Sequence, residues 1–200
     1  MKDTMPDFSA HHLVDVSGVN PHFQLDIRYA TNNNFLGFPV YRIAKCYLHL
    51  GVAVALSNVQ QEIETIGLSL KLFDGYRPLH VQQTMWDTIQ DERYVSNPSV
   101  NKGRHTRGTA IDLTLVDLNG HELVMPSEFD DFTEKAHSDY QEASEEALKN
   151  RLLLKTIMEK YGFTQFPTEW WHFDFNGWQD DEKYPPLDVS FEELESQFIM

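Results

Sequence analysis

An α+β domain, with a central, mostly antiparallel sheet flanked by helices, is the fold this chain predicts. Three observations lead there. Stretches 68–73 and 109–115 alternate like strands, 52–66 and 141–161 carry helical spacing, and the strands are separated by unequal lengths of chain. Two hundred residues suit one domain, 1–200, with enough chain for a real core. Hydrophobic residues make up 41% and aromatic residues 12%, too many for a disordered chain.

Each element has its own justification. Val52, Leu56, Val59, Ile63 and Ile66 recur at helical spacing, and Gly67 supplies a stop. Leu68, Leu70 and Leu72 then alternate with Ser69, Lys71 and Phe73, a strand that runs into the turn signal Asp74-Gly75-Tyr76-Arg77-Pro78. A second helix is expected over 79–91 and a loop over 92–102. Thr109 to Leu115 is β-branched and alternating, with Ile111, Leu113 and Leu115 on one face. The longest helix, 141–161, is acidic at its start and basic later, which suits the helix dipole, and Gly162 ends it. Phe163–Phe166 and Trp170–Phe175 form a final hairpin. The tail from 179 is acidic and partly ordered.

Charge and cysteine content narrow the function. A formal net charge of −15 repels nucleic acid and anionic lipid, so neither is expected as a partner. Cys46 is the single cysteine, which excludes a disulfide framework and a cysteine-based zinc finger. The start, MKDTMPDFSAHH, has no apolar run of signal-peptide length, and no window reaches membrane-spanning length. The expectation is a cytoplasmic protein.

Three fragments carry chemistry. In His105-Thr106-Arg107-Gly108-Thr109-Ala110-Ile111-Asp112, the odd spacing would set His105 and Asp112 on opposite sides of a straight strand. A bend at Gly108 removes that obstacle by leaving His105 on a loop. Asp112 among Ile111, Leu113 and Leu115 is costly unless neutralised, by a metal or by Arg107 or a lysine. In Glu169-Trp170-Trp171-His172, Pro167 and Thr168 put Glu169 in a turn and His172 on a strand. Glu169 can then lean over a metal without ligating it, and the tryptophans would raise its pKa. The plainer alternative is a core histidine beside a snorkelling glutamate. Arg77, extended before a proline, offers either a fixed cation for an oxyanion or a salt bridge, to Asp74 or elsewhere.

Combined, two histidines and one carboxylate match a catalytic zinc with one position left for water. A free glutamate and arginine complete a set for peptide hydrolysis. No H-E-x-x-H occurs, so the helical arrangement of many zinc proteases is absent.

In this order, DGYRP, HTRGTAIDLTL and EWWH resemble the VanX-type D-alanyl-D-alanine dipeptidases. The likeness extends to Tyr29-Ala30-Thr31, Asn34-Phe35 and Phe129-Asp130, covering roughly 25–175. It implies a zinc D,D-peptidase fold and one Zn2+ held by His105, Asp112 and His172. It also implies Glu169 as catalytic base and acid, and Arg77 as transition-state stabiliser. Asp130 matches the residue for the substrate ammonium, and Tyr29 a tyrosine near its carboxylate. Trp170 and Trp171 would wall a small dry site. The implied substrate is the free dipeptide D-Ala-D-Ala, and a homodimer is compatible with the family. One departure stands out: Gly103 replaces a family serine that helps hold the substrate carboxylate, leaving that role to Arg104 or backbone. Alternatives are a D,D-carboxypeptidase acting on peptidoglycan stem peptides, and a non-catalytic metal-bound interaction module.

Overall fold

The computed structural model describes residues 12–197. The N-terminal stretch read for an export signal lies almost wholly outside them. No helix among the described residues is long and apolar enough to cross a membrane.

The chain opens with β1 (Leu13–Asp15), the short α1 (Val16–Val19) and β2 (Gln24–Leu25). Then come β3 (Tyr47–His49), α2 (Leu50–Glu64), β4 (Leu68–Asp74) and α3 (Leu79–Thr88). The second half holds β5 (Ala110–Asp117), α4 (Glu145–Lys160), β6 (Phe163–Gln165), β7 (His172–Phe175) and α5 (Phe191–Gln197). β1 and β3 form a small antiparallel pair. The main sheet runs β2-β4-β5-β7-β6, and only β2 and β4 are parallel. The expected α+β architecture with a mostly antiparallel sheet is therefore present.

Alternation divides the sheet into two unlike faces. Leu70 pairs with Leu115, Leu72 with Leu113, and Ile111 with Phe173, all buried. α2 lies against β4, and α4 against β5 and β6. α2 contributes Val52, Leu56, Val59 and Ile63 to the core, each burial stabilising by about 1.5–3 kcal/mol. The other face carries Asp74, Asp112, His172 and Asp174, and the site is built there.

The element boundaries differ from expectation for local reasons. α2 begins at Leu50 because His49 caps it, its Nδ1 accepting from the Gly51 N–H at 3.3 Å. α4 begins at Glu145 because the Ser144 hydroxyl accepts from the Ala147 N–H at 3.1 Å. α3 stops at Thr88, where Ile89 turns extended. Gly67 (φ 80°) and Gly162 (φ 89°) lie just past helices, where left-handed backbone favours glycine.

Candidate metal centre and active site

Sheet register assembles the centre. Asp112, on the central strand β5, pairs with Asp74 on one side and His172 on the other. Directly opposed residues of antiparallel strands share a face, so one row holds Asp74, Asp112 and His172. His105 comes from a 3-10 turn, His105–Arg107, that precedes β5. Gly108 closes the turn at φ 65°, and a Cβ there would sit 2.5 Å from Leu13 Cδ2. That bend swings His105 over the same face as Asp112, as the spacing required.

His105, Asp112 and His172 are all buried, and their ligand atoms lie within 4.8 Å of one another. Nδ1 of His105 is 2.7 Å from the Gly75 carbonyl, which can only accept, so its proton sits there and Nε2 keeps a lone pair. Nε2 of His172 is 2.9 Å from Asp174 Oδ1, so the neutral form of that ring carries its lone pair on Nδ1. The two free nitrogens face each other at 3.1 Å. Asp112 Oδ2 is 3.4 Å from Nε2 of His105. Oδ1 is 3.1 Å from Nδ1 of His172, yet is fully buried and accepts no hydrogen bond. Three converging electron-pair donors, one an orphaned buried oxygen, fit a cation. Two imidazoles and one carboxylate make a donor set that suits a borderline metal ion.

Electrostatics agrees. Burial alone would raise Asp112, but the two imidazoles hold it well below the usual carboxylate range. Burial opposes charge on His172, while Asp174 and then Asp112 pull its pKa up to about 10. The centre thus favours added positive charge. Asp174, two residues beyond His172 on the same face, fixes the orientation of that ring. Asp174→Asn should weaken metal affinity about 10- to 100-fold in a competition titration against a chelator. Unchanged affinity would remove Asp174 from that role.

Glu169 lies in the turn between β6 and β7, as read from Pro167 and Thr168. Its Oε2 stands 3.5 Å from Nδ1 of His172. Burial pushes its carboxyl up to about 8, against the pull of His172. Arg77 combines both roles weighed for it. Its Nε and Nη2 donate to Asp74 Oδ2 at 3.0 and 2.8 Å, and Nη1 donates to Gln82 Oε1 at 2.8 Å. Nη2 also comes within 3.9 Å of Asp112 Oδ2, and the guanidinium lines the cleft.

The same cleft is lined by Tyr29, Asp130 and Trp171. Asp130 has left-handed backbone (φ 61°) and accepts from the Tyr29 hydroxyl at 2.9 Å. Burial raises its carboxyl to about 7, though the Tyr29 hydrogen bond opposes this. Its Oδ2 is buried without a hydrogen-bond partner. Trp170 does not reach the cleft. Its indole N–H donates to Ser127 Oγ at 3.0 Å, and its ring lines a separate depression with Phe73 and Met125. Both tryptophans lie in the turn before β7, and the Trp170 backbone N–H donates to the Ala136 carbonyl at 2.8 Å, so that ring is directed away while Trp171 lines the cleft.

Gly103 and Arg104 border the cleft too. Arg104 lies between Phe166 (4.6 Å) and Trp178 (4.8 Å), its Nε 2.8 Å from Asp174 Oδ2. Sequence reasoning named Asp74 as a partner for Arg77 but missed Gln82 and Asp174, and it passed over Glu92 and Tyr94, which the 92–102 loop brings to the rim. Asp174 was readable from the period of two. Gln82 reaches Arg77 from the first turn of α3, and Glu92 and Tyr94 depend on how the loop packs.

Comparison with known proteins matches this geometry to a family. Residues 9–190 match the D-ala-D-ala dipeptidase family, peptidase family M15. The chain is 38% identical over 162 residues to a D-alanyl-D-alanine dipeptidase of Escherichia coli, covering 81% of this chain and 83% of that one. It is 35% identical over 186 residues to one from Enterococcus faecalis, covering 83% and 90%. A third, from Enterococcus faecium, is 34% identical over 180 residues, covering 80% and 87%. With a match across nearly its whole length, this chain belongs to the D-alanyl-D-alanine dipeptidase family of metallopeptidases.

Proposed function

We propose that this protein hydrolyses the free dipeptide D-Ala-D-Ala to two D-alanines, using one zinc ion held by His105, Asp112 and His172. The observation that carries the reading is the convergence of three lone-pair donors beneath Glu169, in a cleft shared with Arg77 and Asp130. Zinc bound by this set would supply Lewis acidity, acidifying a water and polarising a carbonyl.

The chain's own residues do the rest. Glu169, poised near neutrality, takes a proton from the attacking water as its oxygen bonds to the scissile carbon. It returns that proton to the leaving amine as the C–N bond breaks. Arg77 is held from behind by Asp74 and Gln82, so its cation is already in place for charge developing on the carbonyl oxygen. Asp130, with a free buried oxygen, receives the substrate ammonium, and Tyr29 fixes its orientation. Trp171 keeps the cleft wall dry.

The substrate's free amine tests this reading. N-acetyl-D-Ala-D-Ala, a stem pentapeptide and L-Ala-L-Ala should all be cleaved far more slowly than D-Ala-D-Ala. Acylation removes the charge that Asp130 would pair with, and strands a buried carboxylate. Asp130→Ala should raise KM for the free dipeptide about 10- to 100-fold. Equal rates on the acylated and free dipeptides would instead favour a D,D-carboxypeptidase.

The proposal includes a single domain, supported by one continuous core cluster, and a cytoplasmic location where the free dipeptide would be met. Cell fractionation tests the location. Light scattering distinguishes a monomer from the homodimer compatible with the family.

A further inference from the structure

The family match ends at residue 190, and α5 begins at Phe191. This helix is tied down firmly. Phe191 and Leu194 are buried, and Glu195 accepts from Lys45 Nζ at 2.7 Å and from the Tyr47 hydroxyl. The strap leading to it binds the loops that carry the chemistry. Leu187 N–H donates to Thr106 O at 2.8 Å, beside the ligand His105. Leu79 N–H donates to Leu187 O, and the Tyr76 hydroxyl, next to Arg77, donates to Val189 O and accepts from Val189 N–H.

Phe191 reaches furthest toward the site. Its ring stacks on Tyr41 with centroids 4.5 Å apart and meets Tyr47 edge-on at 5.0 Å. The Tyr41 hydroxyl donates to Asp74 Oδ1 at 2.9 Å, and the other oxygen of Asp74 holds both Nε and Nη2 of Arg77. A continuous path of direct contacts thus runs from α5 through one ring and one carboxylate to the cleft guanidinium. All four side chains are buried, so the path is packed, with little room to relax.

We infer that Phe191 is a positioning residue for Arg77, acting through Tyr41 and Asp74. The inference rests on the reading of Arg77 as the residue that meets the developing oxyanion. The guanidinium must be held within a fraction of an ångström to be useful there, and Asp74 alone leaves the carboxylate free to rotate. Stacking on Tyr41 fixes the hydroxyl that locks Asp74 Oδ1, and so fixes the face Oδ2 presents to Arg77.

The test uses Phe191→Leu, which keeps apolar volume but loses the stack, and Tyr41→Phe, which keeps the ring but loses the hydroxyl. Each should lower kcat on D-Ala-D-Ala about 5- to 20-fold, with KM within about twofold and metal per chain unchanged. The double variant should be no slower than the slower single by more than about twofold, since both interrupt one path. Independently of activity, the Arg77 Nε–H in nitrogen-15 spectra should exchange with solvent about tenfold faster in either variant. Wild-type kcat and wild-type Arg77 exchange in both folded variants, whatever the melting temperature, would reduce α5 to a stabilising prop and overturn the inference. Arg77→Ala separates the two levels. If it keeps full kcat, the oxyanion role fails, whereas an inactive Arg77→Ala beside fully active Phe191→Leu and Tyr41→Phe sinks only the positioning role.

Discussion

Glu169→Gln is expected to bind metal and fold like the parent while kcat falls by about 100-fold or more. The amide has the shape of the carboxyl, so the turn between β6 and β7 and the cleft wall are preserved. It cannot accept a proton, so the step that generates the nucleophile loses its base, and general acid–base assistance contributes about 10²- to 10⁴-fold. The environment marks Glu169 for this work. It is buried, its carboxyl is raised to about 8, and it stands 3.5 Å from His172. Glu169→Ala should show a comparable kcat. A glutamate with a purely structural role would behave differently: Gln would be nearly as active as the parent, and Ala mainly less stable. Metal content, melting temperature and kcat measured on both variants separate these patterns.

The other large effect is expected at the ligands. His105→Ala and His172→Ala should each weaken metal binding by more than about 100-fold and leave no measurable turnover. Each removes one of the three proposed protein donors, and an outer partner alone is worth about 10- to 100-fold. Among the described residues, Glu169 and Asp74 stand outside the group whose ligand atoms all lie within 4.8 Å of one another. Elemental analysis after dialysis is the readout. Full metal content in both variants would mean that the ligands lie elsewhere.

Much of this centre was legible because each fragment carries its own local rule. Gly108 announced the bend that frees His105 from the strand, and Pro167 and Thr168 announced the turn that holds Glu169. The alternation of β4 and β5 placed Leu70, Leu72, Leu113 and Leu115 on the core face, leaving Asp112 on the other. What supports those residues was not legible in the same way. Arg77 offered a choice between a salt bridge and the oxyanion, and only its hydrogen bonds to Asp74 and Gln82 show that it is held in place while it still lines the cleft. β1, β2 and β3 are two or three residues long, too short for any periodicity, and exist because partners elsewhere in the chain complete them. Trp170 and Trp171, paired as joint walls, lie in the turn before β7, where no period applies, and only distant partners, Ser127 and Ala136, direct Trp170 away from the cleft.

Metal dependence of D-Ala-D-Ala hydrolysis tests the account most directly. Purified protein is assayed for D-alanine release as isolated, after removal of metal with a chelator, and after zinc is returned, with zinc measured in the same samples. The account predicts about one zinc per chain, release of two D-alanines per dipeptide, loss of turnover on chelation and recovery in proportion to zinc restored. Undiminished hydrolysis by metal-free protein, or zinc-loaded protein that leaves D-Ala-D-Ala intact, would contradict it.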